Sequence, residues 1–259
     1  MLFSPGEANG DTLALLDGMK QHAFAILHDM ERSWWYVGRA HVIEFLSSKA
    51  QTKHRILDYG AGYGGMFPWL SRIGAVVDAY EPNATARQGL VKRGYGQVLS
   101  TMEEARTGRY DIVGLFDVVE HIEDDVLFLR DIQDALTGSG SLIITVPAYQ
   151  WLWSSHDADN QHFRRYTRKQ LVSRLTQAGY DVQFAGYWNM FLLPLVIGLR
   201  FLGSSGEGGL GLPPIVNSLL KSVISLEVAL MHLFPLPCGV SVVAIAIPKR
   251  THEYGRQGQ

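Results

Sequence analysis

Near the start of the chain the apolar positions Leu15, Met19, Ala23, Ile26, Leu27 and Met30 recur at three- and four-residue spacing behind Asp11, an N-capping residue type. That spacing predicts an amphipathic helix over 11–30. A second helix is expected near 39–49. Between them Trp34, Trp35 and Tyr36 stand in succession. Three consecutive side chains cannot enter one core from one helical face, so some of them must cover something else.

From residue 55 the texture changes. Short apolar runs at 55–59, 75–80, 111–116 and 141–146 read as strands, with a weaker one at 97–99. Helical patterns over 64–73, 83–93 and 122–137 alternate with them, and Asn83 and Gly94 bracket the second of these as N-cap and terminator. Strand and helix in alternation predict a parallel sheet with helices on both faces, joined by right-handed crossovers.

After Pro147 an aromatic and charged loop runs to Tyr166, followed by a helix over 167–178 and a strand over 181–187. The segment 190–199 is apolar, 203–211 is rich in Gly and Ser, 215–234 is again helical, and 240–248 reads as a strand buried on both faces. The expected organisation is a helical cap (1–50), an α/β core (51–189), an apolar helical insertion (190–238), a last core strand (239–249) and a polar tail (250–259). Neither apolar segment reads as a membrane span, since 190–199 is half the ~20 residues needed and 215–234 carries Asn217, Lys221, Glu227 and His232. A polar stripe of Asn217, Lys221, Ser225 and His232 leaves a wide apolar face for protein, an apolar substrate or a membrane surface.

Composition narrows the picture. With 47% hydrophobic and 19% charged residues over 259 positions, the chain can bury a core and is not disordered over most of its length. Twenty-three basic against 25 acidic residues give a net charge of −2, which supplies no general attraction for nucleic acid, and none is expected as a partner. The lone Cys238 allows no intrachain disulfide, and Glu7 and Asp11 stand where a secretory signal would be basic and then apolar. A reducing cytoplasm is expected, with 190–238 offering peripheral contact to the inner membrane face.

The chemistry concentrates after the first strand. Gly60-Ala61-Gly62-Tyr63-Gly64-Gly65 forms a glycine-rich turn between strand and helix, and Glu81 ends the next strand twenty-one positions after Gly60. This is where an acidic side chain receives ribose hydroxyls, so a nicotinamide cofactor fits the fragment. Asp58, two positions before the first glycine, would repel a diphosphate and welcome a cation. A ligand with an ammonium group, a sulfonium and a ribose but no phosphate suits Asp58 and Glu81 together, and S-adenosylmethionine is such a ligand.

With Phe116-Asp117-Val118-Val119-Glu120-His121-Ile122-Glu123-Asp124 after the fourth strand, residues 54–148 resemble the class I S-adenosylmethionine-dependent methyltransferases, in a subgroup of unassigned substrate. The resemblance implies a Rossmann-like, doubly wound seven-stranded sheet whose last strand is antiparallel and lies beside the fifth. It implies that Asp58, Gly60 and Gly62 hold the methionine part, that Glu81 holds the ribose, that Asp117 lies beside the ligand, and that Ala61 and Pro82 belong to the same cofactor-binding set. Trp35 and Arg39 would belong to a helical lid over it. Adenine contacts are not assigned; Leu99, Ser100, Thr101 and Met102 are the local candidates. S-adenosylhomocysteine would be the second product.

The loop after the fifth strand would border the reactive methyl group. Tyr149, Trp151, Trp153, Arg164, Arg165 and Tyr166 are the candidate acceptor-binding residues, and the Trp-Leu-Trp to His-Phe-Arg-Arg-Tyr stretch resembles members suspected of acting on saccharides or lipid-linked molecules. For a hydroxyl acceptor a histidine is the natural base, with His156, His162 and His121 as candidates in that order. No metal is expected, because no helical His pair at four-residue spacing and no nearby Cys ligand accompany these histidines. The readings that compete with a methyltransferase are a nicotinamide-dependent oxidoreductase and a non-catalytic nucleoside-binding module docked on a membrane.

Overall fold

The computed structural model describes residues 31–201 and 212–249. The helix expected at 11–30, the Gly- and Ser-rich stretch at 203–211 and the tail at 250–259 lie outside the described residues. The elements run α1 (Trp34–Ser47), β1 (Arg55–Tyr59), α2 (Phe67–Ile73), β2 (Val76–Tyr80), α3 (Ala84–Arg93), β3 (Val98–Leu99), α4 (Met102–Thr107) and β4 (Tyr110–Phe116). They continue as α5 (Asp125–Ile132), β5 (Leu136–Pro147), α6 (Ser155–Asp159), α7 (Arg168–Gln177), β6 (Tyr180–Trp188), α8 (Leu193–Phe201), α9 (Pro214–Met231) and β7 (Ser241–Pro248).

The strands form one seven-stranded sheet in the order β3-β2-β1-β4-β5-β7-β6. β1 to β5 are mutually parallel, and β7 enters antiparallel between β5 and β6, with Ile144 opposite Ala244. Helices on both faces bury the middle strands completely: Leu57, Val113, Ile143 and Ile245 are without solvent exposure. Each such side chain contributes about 1.5–3 kcal/mol of transfer free energy. A fold of this topology gathers the carboxyl ends of β1, β2, β4 and β5 along one edge.

Boundaries shift for local reasons. α1 starts at Trp34 rather than near 39, because Ser33 takes an extended conformation and its side chain accepts from the Tyr36 N–H at 3.4 Å. The aromatic triplet is therefore the first helical turn, and its members fan out. Trp35 packs on Trp188 at 4.9 Å between ring centroids, and Tyr36 lies against Gly65, where an added Cβ would come within 2.4 Å of its ring. α2 begins at Phe67 rather than 64, since Gly64 takes φ +77° and continues the turn. The helix expected over 122–137 breaks at Ile132 into a 3₁₀ turn, and residues from Leu136 already belong to β5.

The insertion packs on the cap. Ile224 of α9 sits so close to Gly38 of α1 that a Cβ there would be 2.7 Å from it. Asn217 accepts from the Trp34 N–H at 2.7 Å, and the buried Glu227 accepts from the Met190 N–H at 2.8 Å. Two residues of the polar set that argued against a span thus dock the helix onto the protein. Its other face is bare: Ile215, Leu219 and Leu226 are 80%, 64% and 58% exposed. By length and composition α9 is apolar enough to cross a membrane, and 22% of it is buried in the protein.

Candidate active site at the carboxyl edge of the sheet

The glycine turn is held by the neighbouring strand and by Glu81. Gly60 and Ala61 donate their N–H groups to the Tyr80 carbonyl at 2.8 and 3.1 Å. Gly60 and Gly62 have φ of +75° and +53°, where a side chain is strained. A Cβ on Gly60 would also lie 2.9 Å from Val118, whereas beside Gly62 nothing stands within 4 Å, so the backbone there faces open space. Glu81 accepts from the Gly62 N–H at 2.7 Å through one oxygen and from the Asn83 N–H at 2.8 Å through the other. Its carboxylate therefore builds the turn as well as facing it, and each oxygen keeps a second lone pair for a hydroxyl.

Asp58 is buried at the end of β1 and accepts from the Tyr95 hydroxyl at 2.6 Å. Burial pushes its carboxyl up to about 6, against the opposing pull of Tyr95 and of Arg39. Arg39 reaches from α1 to pair with Asp117 at the end of β4, its guanidinium 5.2 Å from the Trp35 ring centroid. Asp117 takes φ +57° and accepts from the Thr145 hydroxyl at 3.1 Å. Pro82 is exposed, and both its carbonyl and that of Glu81 are bound by Arg87. Of the residues considered for adenine, Thr101 caps α4 through a capping box with Glu104.

These groups fit S-adenosylmethionine. An open glycine cradle admits close backbone approach, Glu81 retains acceptor sites for two hydroxyls, and a buried Asp58 without a cation of its own suits an ammonium.

The loop after β5 is pinned along its length. Tyr149 and Tyr166 are joined by a backbone bond of 2.9 Å, and the Phe163 N–H donates to the Glu120 carbonyl at 2.7 Å, which brings residue 162 onto the turn after β4. Its anchor is Asp157, fully buried, gripped by Arg165 through Nε at 2.7 Å and Nη2 at 2.9 Å, and 3.0 Å from His162 Nδ1. Burial alone would raise the Asp157 carboxyl, but the bonds from His162 and Arg165 hold it well below the usual carboxylate range. An ionised Asp157 only accepts, so His162 Nδ1 donates to it and Nε2 is the ring nitrogen turned away from that carboxylate.

Several expectations change here. His156 is exposed on the outside of α6, beside Asn160 at 3.1 Å, because the inward position of that short helix belongs to Asp157. Arg165 spends its guanidinium on Asp157 and the Ala148 carbonyl. Tyr166 is buried, with its hydroxyl donating to Asp125 at 2.9 Å, and Arg164 pairs with the same carboxylate at 3.0 Å. All three make bonds that fasten the loop. Tyr149 stacks between Trp151 and Tyr187, and Trp151 is 61% exposed at the rim, while Trp153 is half-buried.

His121 and His162 do come together, their rings edge to face at 4.5 Å. Burial, then His162, lowers the His121 pKa. Glu120 joins them: one ligating atom from each of Glu120, His121 and His162 lies within 4.8 Å of the others. The Glu120 side chain has no exposure, and neither oxygen has a hydrogen-bond partner. Sequence spacing missed this cluster because forty-one positions separate His121 from His162 and only the docking of Phe163 on Glu120 joins them. Tyr95 was missed for the same reason.

The chain is similar in fold to several solved methyltransferases. It superposes with a TM-score of 0.55 and 12% identity on a chain from the "Complex between the Haloferax volcanii Trm112 methyltransferase activator and the putative methyltransferase", covering 92% of this chain and 99% of that one. An S-adenosylmethionine-dependent methyltransferase from Archaeoglobus fulgidus gives 0.53 and 15%, over 82% and 92%. The plantazolicin methyltransferase BpumL, solved with S-adenosylhomocysteine, gives 0.50 and 14%, over 94% and 92%. No curated protein matches the chain in sequence. A family model described as a methyltransferase domain matches residues 27–183, more than half of the chain and all of the elements that build the site, so the chain belongs to that family and is an S-adenosylmethionine-dependent methyltransferase.

Proposed function

We propose that the enzyme methylates a hydroxyl oxygen on a small or lipid- or saccharide-linked acceptor, received between the glycine turn and the loop over 148–166. S-adenosylmethionine supplies a methyl group on a positively charged sulfur, so transfer forms an O–CH₃ bond as the S–CH₃ bond breaks toward sulfur and the acceptor loses its proton.

The chain's contribution is placement and removal of that proton. Asp58, Glu81 and the backbone at Gly60 and Gly62 would hold the cofactor, with the Arg39–Asp117 pair closing α1 over it. The observation that carries the O-methyl reading is the pair of imidazoles, His121 and His162, beside Asp117 and backed by the buried Asp157. Tyr149 and Trp151 give a flat aromatic rim that suits a sugar or ring face. The exposed apolar stripe of Ile215, Leu219 and Leu226 favours an acceptor carried on a lipid, with α9 resting on the surface that presents it.

Incubation with methyl-labelled S-adenosylmethionine and separate saccharide, lipid-linked saccharide and amine fractions tests the reading. Label that survives alkaline hydrolysis in a hydroxyl acceptor is expected, as for a methyl ether. Label confined to amines, or released by alkali as from a methyl ester, would overturn it.

A further inference from the structure

Glu120 poses a problem that hydrogen bonding within the chain does not solve. Its carboxyl group is wholly buried with both oxygens unpartnered. The two guanidiniums that reach it are committed elsewhere, Arg39 to Asp117 and Arg165 to Asp157. Three carboxyl groups, those of Asp117, Glu120 and Asp157, thus share two cations. A buried carboxyl without partners is costly and normally finds a cation or a donor.

We propose that Glu120, His121 and His162 form a binding site for a divalent first-row metal ion, placed where the acceptor oxygen is received. Two imidazoles and one carboxylate are a borderline-soft donor set suited to zinc, manganese or iron(II). Three protein ligands leave open coordination positions, as at catalytic rather than structural metal sites. The donor atoms lie within 4.8 Å of one another, and bonds of about 2.0–2.2 Å require them to draw inward. His121 and His162 can do so by small ring rotations, one being exposed and the other half-buried.

The surroundings are already arranged for ligation. His162 Nδ1 is fixed on Asp157 at 3.0 Å, which sets the tautomer and directs Nε2 away from that carboxylate. Ligating histidines are commonly held in this way, by a carboxylate or carbonyl on the far nitrogen. Arg165, by gripping both oxygens of Asp157, in turn holds that carboxylate in place.

The metal's effect on the reaction rests on the hydroxyl-acceptor reading above: with both imidazoles spent as ligands, the ion in place of a free imidazole would bind the acceptor oxygen and ease loss of its proton to solvent. The site itself does not depend on that reading. Metal-free protein titrated calorimetrically with Zn²⁺, and separately with Mn²⁺, is expected to bind one equivalent of at least one of them. Glu120→Gln and His162→Ala should each weaken that binding at least about 100-fold, and Asp157→Asn by about 10–100-fold. His232→Ala, outside the cluster, should change nothing.

Titration of the same samples with S-adenosylhomocysteine reports whether each variant is folded. Metal binding by a protein that methylates amines alone would leave the site standing and remove the hydroxyl-acceptor reading. Absence of a stoichiometric metal, or binding that survives both Glu120→Gln and His162→Ala, would overturn the proposal.

Discussion

The Gly62 N–H donates to Glu81 at 2.7 Å, so the acidic residue at the end of β2 shapes the glycine turn at the end of β1. Its other oxygen accepts from Asn83, which caps α3. One carboxylate thus ties the turn to the start of the following helix. On the sequence alone Glu81 could be reserved for ribose and removed without structural effect, but these bonds give it a second role. Glu81→Ala is expected to lower stability by about 1–3 kcal/mol, through loss of the two part-buried hydrogen bonds that its carboxylate accepts, and to weaken S-adenosylhomocysteine binding at least about 10-fold. Thermal melts and calorimetry on the same samples check both, and an unchanged melting temperature would remove the structural role.

Asp58 gives the site a pH dependence of known sign. Because burial raises its carboxyl to about 6, the native state favours the protonated form, and stability is lost as pH rises from about 4 through 6. At pH 7 the buried charge costs about 3 kcal/mol. Cofactor affinity should run the other way, rising as Asp58 ionises and can face an ammonium group. Asp58→Asn keeps an oxygen for Tyr95 and removes the charge. It is expected to raise stability at pH 7 by about 1–3 kcal/mol while weakening S-adenosylhomocysteine binding and flattening its pH profile between 5 and 7. A variant with wild-type affinity at pH 7 would show that Asp58 does not meet the ligand.

How much of this was legible follows from which interactions are local. The glycine turn, Asp58, Glu81 and Asp117 sit at strand ends, and strand ends are marked in sequence by apolar runs that stop. The last strand was legible through 240–248, whose Val, Ile and Ala residues suit burial on both faces, while its antiparallel direction was legible only through the family resemblance. The loop over 148–166 was not. Its residue types signalled importance, but a histidine, two arginines and a tyrosine look alike whether they face a ligand or fasten a loop. Only the buried Asp157 decides among them: it turns His156 outward, consumes Arg165 and orients His162. Glu120 and Tyr95 each find their setting through contacts distant in sequence, and no local pattern encodes those.

The Arg39–Asp117 pair joins the cap helix to the end of β4 across the place assigned to the cofactor. Asp117→Asn tolerates the left-handed backbone at φ +57°, since Asn visits that region readily, and it keeps an acceptor for Thr145. What it loses is the charge opposite Arg39. With Asp117 about 31% exposed, solvent screens part of the loss, and destabilisation of about 1–2 kcal/mol is expected. If α1 closes over the cofactor through this pair, proteolysis within 31–47 should quicken in the variant and S-adenosylhomocysteine should no longer protect that segment. Equal protection in both proteins would show that the cap is held by α9 alone, through Asn217 and Ile224.

The histidines give the sharpest contrast. His156 is exposed and bonded to Asn160, which is itself at the surface, so His156→Ala is expected to leave turnover within about two-fold of wild type and stability within about 0.5 kcal/mol. His162 is half-buried, oriented by Asp157 and in contact with His121. His162→Ala should retain S-adenosylhomocysteine binding and lose turnover by about 10² or more. Arg165 still satisfies both oxygens of Asp157 in that variant, so the loop keeps its anchor and lost turnover is not explained by unfolding. Asp157→Asn separates the roles further: with Arg165 left facing an amide, both the loop and the His162 tautomer lose their support, and stability and turnover should fall together. Full turnover in His162→Ala would leave the proton without a route through this cluster, and loss of turnover in His156→Ala would mean that α6 swings inward when an acceptor binds.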